Sequence, residues 1–265
     1  MKISIEKRLG LKLIVLNLRS KLIKKNFMNI KKHIPNVITL INLLCGCIAL
    51  VFAVDLNFDM AFYFVALGIF FDFFDGFFAR LFKVSSPLGL QLDSLADMVT
   101  SGVVPGFVMF FLLAKSQNSI SSHVFLPYFG FVITLGACYR LANFNIDERQ
   151  SDSFIGLPTP ANALFILSLP LILKYSNLDF IQVGLKNQWF LMGMTIMSAY
   201  IMNAEIPLFS LKIKDFSFKK YQLHLIFLAI SIGLIAFFQF LGIALVIVFY
   251  VILSVLKNIF QKENF

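Results

Sequence analysis

Charged residues are scarce in this sequence: Asp, Glu, Lys and Arg together make up 14% of its 265 residues. A soluble globular domain usually carries about 25% of them. Apolar residues make up 59%, and Phe alone occupies 33 positions. One soluble core of this size cannot hide so much apolar surface. The composition therefore excludes an ordinary soluble domain and predicts a protein embedded in lipid.

Cysteine and histidine are also rare, with three residues of each. Cys45, Cys47 and Cys138 stand in apolar stretches and lack the spacing of a disulfide framework or a zinc site. The three histidines do not cluster in the sequence. A disulfide scaffold and a His/Cys metal site are both excluded, and the cysteines are interpreted as small buried hydrophobic residues.

The first 32 residues hold ten Lys and Arg, which alternate with Ile, Leu and Val. Residues 1–33 are therefore predicted to form a basic amphipathic segment on an anionic membrane surface, and no nucleic-acid partner is expected. No small-residue cleavage site follows an uninterrupted apolar run, so a cleaved signal peptide is not predicted. A poorly ordered tail, or a natural start at Met28, remains an alternative.

Apolar runs of about 20 residues predict an all-α, polytopic transmembrane helical bundle with about eight spans. The fifth run is short and the last two are joined tightly, so six or seven spans are also possible. The runs cover residues 34–54, 60–82, 88–114, 124–145, 157–173, 189–209, 221–238 and 240–260. Residues 34–210 are predicted to form the membrane core, and residues 211–265 two C-terminal helices.

The positions of Lys and Arg predict the orientation of these spans. With the N-terminus in the cytoplasm, 20 of the 23 Lys and Arg fall on the cytoplasmic side. Only Lys115, Lys174 and Lys186 fall on the opposite side. This imbalance follows the positive-inside rule and favours an even number of spans with both termini in the cytoplasm.

Four aspartates lie within the second and third predicted spans. Asp72 and Asp75 recur at helical spacing on the second span, and Asp93 and Asp97 on the third. Residues 82–87 form a short connection, so the two helices must be antiparallel neighbours whose acidic stripes can face each other. An ionisable residue inside a membrane indicates function by default.

Four carboxylates packed together in a low dielectric repel one another unless protons or cations neutralise them. Oxygen-only ligands at this density favour Mg²⁺ or Mn²⁺, and two such ions would balance four aspartates. Gly76 and Gly89 share the acidic stripes and leave room either for a ligand or for close helix packing. Arg80 fits either an ion pair or a bidentate phosphate contact.

Together these residues form the pattern Asp-x2-Asp-Gly-x2-Ala-Arg-x8-Gly-x3-Asp-x3-Asp, from Asp72 to Asp97, without a mismatch. The pattern resembles the signature of the CDP-alcohol phosphatidyltransferase family. It has eight fixed positions, so a chance match in one chain is far below about one in a million at ordinary residue frequencies.

The resemblance implies a reaction in which an alcohol attacks the β-phosphate of a CDP-linked lipid and releases CMP. It implies that the four aspartates bind two divalent ions, that Asp97 is also the general base, and that the enzyme is a homodimer. The residues implied to hold the CDP-lipid are Asn36, Val37, Ile38, Thr39, Gly76, Arg80 and Ser86.

Further segments resemble bacterial family members that use L-serine, which implies CDP-diacylglycerol and L-serine as substrates in the inner (cytoplasmic) membrane, with the active site facing the cytoplasm. Residues 35–46 carry Asn42 where members that use glycerol phosphate usually have Arg. Residues 139–145 and 154–161 also match. There Arg140 and Asn143 are implied to line an acceptor or phosphate pocket, although Asn143 replaces the usual second arginine. Arg140 alone would also fit a positive-inside anchor.

Glycerol 3-phosphate or inositol phosphate remains possible as the acceptor within the same family. An ion transporter with intramembrane acids is the rival of another class. Such a transporter should show carboxylates near mid-span and broken helices in paired halves, whereas these acids crowd towards one connection.

Overall fold

A computed structural model describes residues 33–84, 86–116, 125–147, 154–208 and 218–262. The predicted basic segment, apart from His33, lies outside the described residues. The predicted helical fold is confirmed in these ranges. The helices are α1 (His33–Val54), α2 (Phe58–Phe82), α3 (Pro87–Asp97), α4 (Val104–Lys115), α5 (Val132–Ile146), α6 (Thr159–Tyr175), α7 (Asp179–Lys186), α8 (Gln188–Asn203) and α9 (Phe218–Lys262).

Four helical stretches are long and apolar enough to cross a membrane, by length and composition. They are His33–Val54, Phe58–Phe82, Pro87–Lys115 and Leu225–Ile259. The third is the central one, with 61% of its most apolar window buried in the protein, against 11% for the last. Aromatic side chains such as Phe70, Phe73 and Phe77 are exposed on α2, as expected of a helix surface that faces lipid.

The cysteines differ in their surroundings. Cys45 is buried on α1, as predicted. Cys47 and Cys138 are exposed on α1 and α5, so for these two the prediction of burial in the protein was wrong. An apolar stretch that faces lipid looks the same in sequence as one that faces the protein core.

The connection between α2 and α3 is short because strong local signals end α2 and begin α3. Lys83 adopts a left-handed conformation (φ 56°), and its N–H bonds to carbonyls of the last turn of α2. Ser86 caps α3 by accepting from the Gly89 N–H at 3.0 Å, and Pro87 occupies the first turn. The two acidic helices are thereby held as neighbours.

The third stretch is not a uniform α-helix. Residues Met98–Val103, directly after Asp97, form a π-helical segment between α3 and α4. Pro105 lies in the first turn of α4 and has no N–H to donate to the preceding turn. The hydrogen-bond ladder therefore changes register just before the proline. π-helical turns are frequent at functional sites because they re-aim the side chains on either side.

The second half of the chain contains elements that hydropathy did not predict. A 3₁₀-helix, Leu126–Phe131, leads into α5. Two short strands, β1 (Phe154–Ile155) and β2 (Pro207–Leu208), pair in antiparallel fashion. The short helix α7 lies between α6 and α8. The predicted spans at 157–173 and 189–209 correspond to α6 and α8.

Helix α9 is a hairpin of two helical arms. Gln239 interrupts it with φ 49° and ψ −119°. The Phe227 ring lies 5.9 Å from Phe249 and 5.7 Å from Tyr250, whereas 22 residues of straight helix would separate two side chains by about 33 Å. The chain therefore folds back at Gln239, where the sequence predicts a tight connection between residues 238 and 240.

Candidate active site

The aspartates of α2 and α3 meet in the folded chain. One carboxylate oxygen from each of Asp72, Asp75 and Asp93 can be chosen so that all three lie within 4.8 Å of one another. Asp97 adjoins this group, and its side chain interacts with that of Asp72. The predicted facing of the two acidic stripes is thus what the geometry shows.

Helix α1 supplies hydrogen-bond donors to two of the carboxylates. The Thr39 hydroxyl lies 2.6 Å from Asp75 Oδ2 and 3.0 Å from the carbonyl oxygen of Pro35. Three residues further along the same face of α1, Asn42 Nδ2 donates to Asp97 Oδ1 at 3.1 Å. Both donors are buried, so they fix the carboxylates without competition from water.

The donor set fits a divalent cation. Asp72 Oδ1 is buried and has no hydrogen-bond partner among the described residues. A buried carboxylate oxygen without a partner carries a large desolvation cost. A hard cation removes that cost and also the repulsion among neighbouring carboxylates, and an all-oxygen ligand set suits Mg²⁺ or Mn²⁺.

A cavity of about 180 Å³ opens beside the carboxylates, between α1, α2 and the start of α3. Asp75 and Asp93 form part of its wall. Four of the residues predicted to bind the CDP-lipid also line it: Asn36, Thr39, Gly76 and Ser86. The structure therefore brings these sequence-predicted residues together at one opening next to the acidic cluster.

Arg80 is exposed and lies one turn beyond Gly76 on α2. A Cβ atom built on Gly76 would lie 3.7 Å from Arg80 Nη1, its nearest neighbour. The surface left open by this glycine therefore faces the cavity and the guanidinium group. An exposed guanidinium beside a cavity with carboxylates in its wall can pair with a phosphate group bound there.

Asp72, Asp97 and Arg80 adjoin this cavity without lining it, and four other predicted residues do not line it either. Val37 is exposed and Ile38 is half-buried on α1. Asn143 is exposed on α5. Arg140 is buried, and its Nη1 donates to the carbonyl oxygens of Ile155 at 2.8 Å and Met202 at 3.0 Å. Arg140 thus joins α5 to β1 and to the end of α8.

Some polar contacts near the cluster were not predicted from the sequence. Ser94, between Asp93 and Asp97, exchanges hydrogen bonds with Asn145 of α5 at 2.9 and 3.2 Å. Thr100, in the π-helical segment, donates to Asn42 Oδ1 at 2.9 Å. Their partners lie more than 50 residues away, so periodicity within one helix gives no signal for them.

A larger cavity, of about 420 Å³, lies elsewhere, between the end of α6 and the Gln239 turn of α9. None of its lining residues is acidic. Size alone therefore does not locate the chemistry, and the smaller opening beside the aspartates is the candidate active site.

Comparison with known proteins agrees with the motif. The sequence model of the CDP-alcohol phosphatidyltransferase family matches residues 32–202. A CDP-diacylglycerol–serine O-phosphatidyltransferase of Helicobacter pylori strain J99 is 33% identical over 237 residues, which cover 87% of this chain and 95% of that protein. An enzyme of the same name from Bacillus subtilis strain 168 is 35% identical over 141 residues, 52% of this chain and 75% of the relative.

A third relative with this name, from Saccharomyces cerevisiae, is 31% identical over 153 residues, which cover 52% of this chain and 53% of that protein. The matched region contains α1, both acidic helices and the cavity between them. The resemblance predicted from the eight-position motif is therefore confirmed, and this chain belongs to the CDP-alcohol phosphatidyltransferase family.

Proposed function

We propose that this protein transfers the phosphatidyl group of CDP-diacylglycerol to the hydroxyl group of L-serine, giving phosphatidylserine and CMP. The observation that carries this proposal is the similarity to the Helicobacter pylori serine enzyme, which extends along 87% of this chain and 95% of the relative. Asn42, at a position where glycerol-phosphate enzymes usually carry Arg, also supports serine as the acceptor.

The proposed metal ligands are Asp72, Asp75, Asp93 and Asp97, holding two Mg²⁺ or Mn²⁺ ions. When bound, such ions offset the charge of the diphosphate and of the departing CMP. The close approach of three carboxylates and the unpartnered Asp72 Oδ1 support this assignment.

The CDP-lipid is proposed to enter the cavity between α1, α2 and α3. Asn36 and Thr39 line one wall together with Gly76 and Ser86, and Val37 and Ile38 belong to the same turn of α1. Arg80 binds a phosphate of the substrate at the cavity mouth. The acyl chains remain in the surrounding lipid, which the exposed apolar faces of the helices contact.

Asp97 is proposed as the base. The serine oxygen forms a bond to the β-phosphorus, the bond between that phosphorus and the bridging oxygen breaks, and the oxygen leaves with CMP. The serine hydroxyl proton passes to an oxygen of Asp97. A carboxylate beside cations is a weak base, so the hydroxyl must itself be acidified by its contacts in the site.

The acceptor pocket is proposed to include Arg140 and Asn143. Arg140 Nη1 already engages two carbonyl oxygens. In this proposal the serine carboxylate is therefore bound through Nε and Nη2 of the same guanidinium. Asn143 would contribute from the next turn of α5.

The protein is proposed to be a homodimer of the bacterial inner membrane, with eight crossings and the site facing the cytoplasm. The fold-back at Gln239 supports counting α9 as two crossings, and the distribution of Lys and Arg supports the orientation.

The decisive experiment supplies purified protein in nanodiscs with CDP-diacylglycerol and, separately, L-serine, glycerol 3-phosphate or inositol phosphate. The lipid product is identified by mass spectrometry and CMP is quantified, with Mg²⁺ or Mn²⁺ and with a chelator. We expect phosphatidylserine and equimolar CMP only with metal. A product from glycerol 3-phosphate but not from serine would overturn the serine assignment. Absence of CMP release with every acceptor would favour a transporter.

Asp97→Asn tests the proposed base in the same assay. We expect its turnover to fall at least about a hundredfold, because a carboxamide cannot accept the proton. Near-normal turnover of Asp97→Asn with metal binding intact would remove Asp97 from the role of base.

A further inference from the structure

The Asp97 carboxylate is held by two buried polar residues, Asn42 and Thr100, that are linked by hydrogen bonds. Asn42 Nδ2 donates to Asp97 Oδ1 at 3.1 Å, and Thr100 Oγ1 donates to Asn42 Oδ1 at 2.9 Å. Thr100 Oγ1 also lies 3.2 Å from the Asn42 carbonyl oxygen. Asn42 and Thr100 are both fully buried, with 0% of their surface exposed. Neither residue lines the substrate cavity.

Two glycines in the surrounding helices leave room for the Asn42 and Thr100 side chains. A Cβ atom on Gly46 would overlap the Thr100 hydroxyl and lie 3.0 Å from the Thr100 backbone N and Cα. A Cβ on Gly68 of α2 would lie 2.8 Å from Asn42 Oδ1 and 2.9 Å from Thr100 Cγ2. Two glycines on two helices thus make space for the polar pair at a three-helix contact.

The direction of each hydrogen bond orients the Asn42 amide. Its carbonyl oxygen accepts from Thr100, so its NH₂ group points to Asp97. Rotation of the amide by 180° would place an amide oxygen against a carboxylate oxygen and lose the bond to Asp97. The π-helical segment carries Thr100 and begins one residue after Asp97, which brings both side chains to the same residue of α1.

We infer that Asn42 and Thr100 are positioning residues for Asp97: together they anchor Oδ1 and leave Oδ2 as the oxygen that meets the acceptor hydroxyl. This inference rests on the proposed function, because it assigns a task to the proposed base. It adds two residues that contact neither substrate nor metal. Their effect is on the rate of the chemical step and not on substrate binding.

Thr100→Ser and Thr100→Ala form the matched pair that tests the inference. Both remove the methyl group, but only Ser keeps the hydroxyl. Valine is unsuitable because its second methyl group would stand against Asn42 Oδ1, which lies 2.9 Å from the Thr100 hydroxyl. Thr195→Ala is the control, since the buried Thr195 hydroxyl bonds to the Leu191 carbonyl of its own helix, at 2.8 Å.

We expect Thr100→Ala to lower kcat about tenfold, and Asn42→Ala about tenfold to a hundredfold, as for loss of a hydrogen bond to a charged group. KM for both substrates should stay within about twofold of wild type, since neither side chain touches a substrate. Thr100→Ser and Thr195→Ala should retain wild-type kcat. Stabilisation by Mn²⁺ alone, measured by thermal unfolding, should persist in Thr100→Ala because its metal ligands are intact.

Equal kcat for the Ala and Ser variants at position 100 would overturn the inference, and so would a loss confined to the unfolding temperature or to KM. If Thr100→Ala does not fold, the comparison of Asn42→Ala with Thr100→Ser decides in the same way. The assay uses whichever alcohol the wild-type enzyme accepts. A wild-type enzyme that releases no CMP with any alcohol overturns the proposed function and this inference together, whereas an active enzyme with unaffected variants overturns the inference alone.

Discussion

Asp72 is half-buried on α2, and one of its carboxylate oxygens is buried and unpartnered among the described residues. The side chains of Asp75 and Asp93 lie close by. Without cations this arrangement destabilises the fold, because a buried charge loses hydration and meets like charges. Residues arranged for function commonly reduce stability in this way. A substitution in the aspartate cluster should therefore lower activity while it raises the stability of the metal-free protein.

Asp72→Asn tests that separation. We expect the variant to unfold at a higher temperature than wild type in the presence of a chelator, because one source of repulsion is gone. Its activity should fall at least about a hundredfold, and its stabilisation by Mn²⁺ should be lost, because an anionic ligand is missing. Thermal unfolding with and without Mn²⁺, together with CMP release, measures all three effects.

The control for Asp72→Asn lies at the other end of the same helix. Asp59 accepts from Lys174 Nζ at 2.5 Å and from the Tyr175 hydroxyl at 2.7 Å. Asp59→Asn removes a charge from α2 without touching the cluster, and we expect it to keep its activity and its response to Mn²⁺. Loss of activity in Asp59→Asn equal to that in Asp72→Asn would contradict a specific role for the cluster.

How much of the site the sequence predicted differs from residue to residue. Asp72, Asp75, Asp93 and Gly76 were predictable because helical spacing and one short connection bring them together. The role of Thr100 was not, since its partner Asn42 is 58 positions away and the contact depends on how three helices pack. The pocket role of Arg140 stays a prediction, and its bonds to Ile155 and Met202 depend on a loop geometry that no local pattern encodes.

At the scale of elements, hydropathy predicted the long helices to within a few residues, because about 20 apolar residues suffice to identify a span. It did not predict the π-helical segment or the β1–β2 pair. Both depend on backbone hydrogen bonds rather than on side-chain character. The short helix α7 was also missed, since its eight residues are too few to form an apolar run.

The α9 hairpin contains a residue in an unfavourable conformation. Gln239 has φ 49° and ψ −119°, values near those of the first central residue of a type II′ turn, where glycine is preferred. Any residue with a Cβ is strained there, at a cost of about 1–3 kcal/mol. The chain accepts this strain because the turn lets the two arms of α9 pack against each other.

Gln239→Gly should therefore stabilise the protein by roughly 1 kcal/mol, once the greater freedom of glycine in the unfolded chain is subtracted. Gly242→Ala should destabilise it, because the added Cβ would overlap the Leu234 carbonyl oxygen and lie 2.8 Å from Ile235 Cα. Gly233→Ala is the control, with no atom within 4 Å of its Cβ. Thermal unfolding in one detergent compares the three, and a destabilised Gln239→Gly would contradict the II′ interpretation.

At the scale of the whole molecule, the contacts sort the helix ends into two sets. Asp59 at the start of α2 meets Lys174 at the end of α6, and the cavity at the Gln239 turn includes Leu171 and Tyr175 from the same region. The aspartate cavity contains Pro35 near the start of α1. Just beyond the C-terminal end of α8, Asn258 of the second arm of α9 donates to the Pro207 carbonyl oxygen at 2.6 Å.

Asn177 and Glu205 flank α7–α8 at opposite ends, so they can report the orientation of the protein.

Cysteine labelling in intact cells tests the orientation that the charge distribution predicts. In a background lacking Cys45, Cys47 and Cys138, we expect Asn177→Cys to react with a membrane-impermeant maleimide from outside. Glu205→Cys should react only after permeabilisation, because it lies at the end of α8 that the distribution of Lys and Arg predicts to be cytoplasmic. Both native residues are exposed, so access to reagent is not limited by packing. The reverse pattern would place the aspartate site on the outer face of the membrane and contradict the orientation that the charge distribution predicts. Labelling of both sites from outside would contradict a crossing by α8.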